Sequence, residues 1–156
     1  MPTTAAEIMT TPVATVAPEA SVAEIAALLS GRHISAVPVC DPQGNLLGVV
    51  SEGDVIRPFR ESARTKRDWW LSAAAQGEEL SQEFLDYMRR DTRTAADVMA
   101  RHVVAAEETA TLPHLAELMV RHGVKRVPIV RGMKVVGIVS RSDIVAAIAR
   151  APAMLV

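Results

Sequence analysis

The chain repeats itself, and that is the feature that most constrains its fold. Thr94-Ala95-Ala96-Asp97-Val98-Met99 echoes Thr4-Ala5-Ala6-Glu7-Ile8-Met9, and Val127-Pro128-Ile129 echoes Val37-Pro38-Val39, each ninety positions later. Gly137-Ile138-Val139-Ser140-Arg141-Ser142-Asp143 echoes Gly48-Val49-Val50-Ser51-Glu52-Gly53-Asp54 at a distance of eighty-nine. The missing residue falls where Asp41-Pro42-Gln43-Gly44-Asn45 faces the shorter Arg131-Gly132-Met133-Lys134. Both are turn-rich stretches between apolar runs, so they read as hairpin loops of unequal length. A duplicated unit of this size predicts two like halves sharing one fold.

Each half reads the same way. A short helix ends at Met9, Thr10-Thr11-Pro12 leads into a brief strand from Val13 to Val16, and Pro18 stops it. Ser21 is the expected N-cap of a helix with Val22, Ile25, Ala26, Leu28 and Leu29 at helical spacing, ended by Gly31. Ala36 to Val39 and Leu46 to Val50 are valine-rich runs too short for helices, joined by a turn. Their apolar character on both faces predicts a sheet covered on both sides. A second helix follows Ser51 through Val55 and Ile56, breaking near Pro58. In the second half Thr111 is the cap, Leu115, Leu118 and Met119 the buried stripe, and Ile144, Val145 and Ile148 the closing helix.

Residues 60–93 match neither half. They begin basic, pass through Trp69-Trp70, and turn acidic, with Leu80, Phe84, Leu85 and Met88 at the spacing of an amphipathic helix. Trp69 and Trp70 either pack this connector on the two halves or form a dimer contact or a lid over a ligand.

The 17 Lys and Arg stand against 18 Asp and Glu, so there is no basic surplus to mark a nucleic-acid footprint. No apolar run approaches the roughly 20 residues that span a bilayer, and the N-terminus carries no visible secretory signal. One cysteine, Cys40, allows no internal disulfide and suits a reducing cytoplasm; it reads as a small core residue. His33, His102, His114 and His122 lack the spacing or the adjoining carboxylates of a metal site and read as solvated. No nucleophile turn, phosphate-cradling glycine loop or paired acid and base points to an enzyme.

Ser51-x-x-Asp54 and Ser140-x-x-Asp143 each stand where an apolar strand meets a helix. A hydroxyl and a carboxylate so placed can cap that helix or hold the sugar and phosphate of a nucleotide, and the residues alone leave both open.

Taken together, Ile8-Met9, Val37-Pro38-Val39, the Gly48 to Asp54 stretch and their second copies resemble the tandem cystathionine-β-synthase (CBS) domain pair, or Bateman module. The likeness covers roughly Ala5 to Phe59 and Ala95 to Ala149. It implies an α+β fold of two βαββα repeats related by a pseudo-twofold axis and packed through their sheets, with a helical insert: repeat 1 over residues 1–59, connector over 60–93 and repeat 2 over 94–156. It further implies two composite clefts that take adenosine-containing ligands (AMP, ADP, ATP or S-adenosylmethionine) as regulators, with no catalytic cofactor. Such a module signals to an effector protein and pairs with a second copy through its helices, with Ala146, Ala147 and Ala149 permitting close approach. The other function considered is a dimer scaffold with vestigial clefts.

The first cleft implied would gather Thr10, Val13, Ala14, Ile34, Ser35 and Ala36 with Lys125, Ser140, Arg141 and Asp143. The second would gather Ser51 and Asp54 with Val103, Val104, Val124, Lys125 and Arg126. Glu52 replaces Arg141 there and Arg126 replaces Ala36, so the Asp143 cleft is expected to bind better.

Overall fold

The structure is a computed structural model and describes residues 2–56 and 92–151. The amphipathic stretch around Leu80 to Met88, Trp69 and Trp70 lie outside the described residues.

The first half contains α1 (Ala5–Ile8), α2 (Val22–Arg32), β1 (Ala36–Cys40), β2 (Leu46–Ser51) and α3 (Glu52–Ile56). The second contains α4 (Ala95–Val98), β3 (Ala106–Glu107), α5 (Leu112–His122), β4 (Arg126–Arg131), β5 (Lys134–Ser140) and α6 (Arg141–Arg150). The antiparallel hairpins β1-β2 and β4-β5 follow the predicted runs, and β3 adds to β4 in parallel. The first half realises its leading strand only as a single parallel bridge, Val16 to Val39. The Val16 amide donates to Pro38 O (3.0 Å) and the Cys40 amide to Val16 O (2.9 Å), so one residue takes the place of the expected Val13 to Val16 strand.

Local chemistry sets the helix ends. Ser21 and Glu24 form a reciprocal capping box on α2, and Thr111 caps α5. The expected stop at Gly31 does not hold: α2 continues to Arg32, and His33 caps it in the left-handed region (φ 53°). Its counterpart Gly123 caps α5 in the same conformation (φ 63°), so the first half puts a side chain where the second uses glycine.

The cores do not respect the linear boundary between the halves. Val22, Ile25, Leu29, Val37, Val39 and Val50 pack with Ala95 and Val98 of α4, whereas Leu112, Leu115, Met119, Val127, Ile129 and Val139 pack with Ala5 of α1. Each leading helix therefore lies on the other repeat. The Ala5 amide donates to Ala110 O (2.8 Å) and the Ala95 amide to Ala20 O (2.8 Å). This exchange explains the repeated glycines. A Cβ on Gly48 would stand 2.7 Å from Ala100 O, and one on Gly137 would stand 2.8 Å from Met9 Cγ, so the incoming arm leaves no room for a side chain.

The hairpins also meet: Leu46 N donates to Met133 O (2.9 Å) and Val135 N to Gly44 O (3.1 Å). Along β1 and β4, Val37, Val39, Val127 and Ile129 face the helices. Ala36, Pro38, Arg126 and Pro128 alternate with them and face the space between the halves. Cys40 is buried, and burial, then the neighbouring Asp41, push its thiol above the usual range. No helix among the described residues is long and apolar enough to cross a membrane.

Candidate functional site

Ser51 and Asp54 close β2 onto α3. Asp54 Oδ2 accepts from the Ser51 amide (2.8 Å) and from Ser51 Oγ (3.0 Å), and the Asp54 amide donates back to Ser51 Oγ (3.3 Å). Ser140 and Asp143 repeat this at the start of α6, with distances of 2.8, 3.0 and 3.2 Å, and Ser140 Oγ also lies 2.9 Å from Ser142 Oγ. Both pairs thus act as caps. A carboxylate offers about four lone-pair sites, so capping leaves acceptor capacity for a ligand hydroxyl. Asp54 is only 6% exposed, whereas Asp143 is half-buried.

Two cavities open between the halves. One, of about 500 Å³, is lined by Ser51, Glu52, Gly53 and Asp54 from the first half. Val103, Val104, Val124, Lys125 and Arg126 line it from the second. All the residues expected in the Asp54 cleft thus share one space. Ser35, Ala36 and His102 line it too. His102 is exposed, as expected of a solvated histidine, yet it reaches this wall; its position two residues past Ala100 is the counterpart of Pro12 and was the available signal.

The other cavity, of about 420 Å³, is lined by Thr10, Val13, Ala14, Ile34 and Ala36, as expected of the first cleft, together with Pro12, Pro38 and Ile138. Its charged lining residues are Arg32 and Arg126. Ser140, Arg141 and Asp143 are not among its lining residues, and Lys125 and Ser35, expected here, line the Asp54 cavity instead. The backbone ties each closing helix to its own repeat: the Arg141 amide donates to Lys125 O (3.0 Å), as the Glu52 amide does to Ser35 O (2.9 Å). Arg32 escaped the sequence reading because it sits in the last turn of α2, where a basic residue is already explained by the helix dipole.

Arg126 lines both cavities, and its Nη1 donates to Ser35 Oγ of the other repeat. Its counterpart by repeat is Ala36, a methyl group. The two clefts are therefore unequal in geometry as well as in composition.

Comparison with known proteins places this architecture. The chain is 30% identical to the CBS domain-containing protein YhcV of Bacillus subtilis over 139 residues, 88% of this chain and 80% of that one. Its fold is that of CBSX2 from Arabidopsis thaliana (TM-score 0.76, 22% identity, covering 98% of this chain and 99% of that one). CBSX2 in complex with AMP aligns with a TM-score of 0.69 at 24% identity, covering 94% of this chain and 96% of that one. The CBS domain pair of protein MJ0100, in complex with 5′-methylthioadenosine and S-adenosyl-L-methionine, does so with the same score and identity over 96% and 98%. The CBS domain profile matches residues 5–61 and 95–150, and with both repeats, their hairpins and their exchanged helices in place, the chain belongs to the CBS domain family.

Proposed function

We propose that the chain is a regulatory binding module, in which an adenosine-containing small molecule occupies the clefts between the repeats and changes how the module engages an effector protein. The observation that carries this reading is the Asp54 cavity. Its volume of about 500 Å³ lies within the roughly 300–1,000 Å³ typical of small-molecule pockets. Val103, Val104 and Val124 offer apolar cover for a flat base, the Asp54 carboxylate suits a ribose diol, and Lys125 and Arg126 suit a phosphate or carboxylate. The adenosyl ligands of CBSX2 and MJ0100 support the same ligand class.

The fuller gathering of residues puts first occupancy in the Asp54 cavity, reversing the order that composition alone suggests. The Thr10 cavity remains the second site, with Val13, Ala14, Ile34 and Ala36 around the base and Arg32 and Arg126 as its charged groups. No chemistry is performed on the ligand, and the module works in a reducing cytoplasm. Val120 (84% exposed) and Val145 (64% exposed) on α5 and α6 favour self-association through the helices. Ala146 and Ala149 face outward with them, but Ala147 is 1% exposed and belongs to the core, so it gives no close approach to a second copy.

Isothermal titration with AMP and S-adenosylmethionine tests the reading. Asp54→Asn keeps an acceptor for the cap but removes the charge, and should weaken the tighter step by about tenfold to a hundredfold, as loss of a charged hydrogen bond does. Absence of heat and of thermal stabilisation at millimolar ligand would leave the dimer scaffold as the better account.

A further inference from the structure

We infer that Arg126 couples the two clefts, making occupancy of one by an anionic ligand unfavourable to occupancy of the other. The inference rests on the clefts being adenosyl-ligand sites and goes beyond it by assigning how they communicate. One guanidinium stands in the wall of both cavities and is held across the repeat boundary by Ser35 Oγ. By repeat its counterpart is Ala36, so the first half supplies no matching arginine at this position.

The charge balance on each side gives the sign. In the Asp54 cavity, Lys125 and Arg126 face Glu52 and Asp54, with the His102 imidazole in the same wall. In the Thr10 cavity the charged residues are Arg32 and Arg126. A phosphate carries about two negative charges at neutral pH, and a planar guanidinium turned bidentate toward a phosphate in one cavity presents less of its fork and charge to the other. If a phosphate in the Thr10 cavity claims Arg126, the Asp54 cavity is left with Lys125 against two carboxylates. If a phosphate in the Asp54 cavity claims it, the Thr10 cavity keeps Arg32 alone. Either ligand thus penalises the other, and by linkage the penalty is the same in both directions. A ligand without a phosphate makes no such claim.

A thermodynamic cycle measures this. Ala14→Trp fills the Thr10 cavity and Val104→Trp, its counterpart by repeat, fills the Asp54 cavity, so each variant reports one cleft alone. Titration with AMP gives the two single-cleft association constants, and the unplugged protein gives two successive ones. The product of the successive constants is expected to fall about tenfold short of the product of the single-cleft constants, within the usual range of coupling between sites. With adenosine the two products should agree. Introducing Arg126→Gln into all three proteins should abolish the AMP shortfall. Arg126→Met, of similar length and without charge, serves the same cycle should the glutamine variant not fold by circular dichroism. Equal products with AMP in the Arg126 proteins, or a shortfall that survives loss of the arginine, would overturn the coupling while leaving the ligand class intact. Absence of AMP binding to every protein would overturn the ligand class, and the coupling with it.

Discussion

The two repeats place corresponding residues in corresponding roles in their cores and in different roles at their clefts. Ile25 and Leu115 are both fully buried, as are Val37 and Val127, Ala5 and Ala95. At the clefts, Ala36 corresponds to Arg126, Glu52 to Arg141 and Arg32 to His122. The repeats agree at these buried positions and, in the cavity walls, keep Pro38 with Pro128 and Val13 with Val103 while differing at the charged positions. The reason is physical: a close-packed core penalises changes of volume on either side, whereas a cavity wall accepts a new side chain without unfolding the protein.

The comparison can be broken first in the cores. Ile25→Ala and Leu115→Ala remove matched side chains from cores that exchange helices, so each should lower stability by about 2–5 kcal/mol, to a similar extent in denaturant unfolding. A large inequality would mean that one repeat carries the stability alone.

The glycines sharpen the comparison at the next level. Gly48→Ala pushes a methyl group against the backbone oxygen of Ala100, whereas Gly137→Ala meets only side-chain atoms of Met9, which can turn aside. Overpacking of this kind costs about 1–3 kcal/mol, and Gly48→Ala should lie at the upper end and Gly137→Ala at the lower. Equal losses would mean that the arm of Met99 is as free to give way as that of Met9.

The smallest effect concerns the unequal hairpin loops. Asp41 Oδ1 accepts from the amides of Asn45 and Gln43, both at 2.9 Å, and Oδ2 from Asn45 Nδ2 at 3.0 Å. The Asn45 amide is the main cause that holds the Asp41 carboxyl below its usual range. A depressed carboxyl stabilises the fold above the unfolded value and loses that contribution as pH falls through the folded one. The melting temperature should therefore drop below about pH 4, and Asp41→Asn should make that drop shallower. The loop between Arg131 and Lys134 has no such aspartate.

Much of this was legible in the residues because it depends on near neighbours. Valine-rich runs too short for helices specify the hairpins, Ser21 and Thr111 specify helix starts, and the two Ser-x-x-Asp stretches offered caps, a role their geometry shows over partners three residues apart. His33 shows the limit even there: α2 runs past Gly31 to Arg32, and a histidine takes the left-handed cap for which glycine was the expected residue.

What the chain determined by itself was therefore the repeat, the order of its elements and, through its resemblance to CBS domain pairs, the α+β class and the list of candidate cleft residues. Which of them meet was decided by the tertiary structure. The exchange of α1 and α4 fixes the glycines, the union of residues 51–54 with 103–104 and 123–126 makes the Asp54 cavity, and Arg126, which reaches Ser35, stands in the wall of both clefts. These contacts link positions as far apart as Met9 and Gly137, and no local preference records them: they arise only when one half folds against the other.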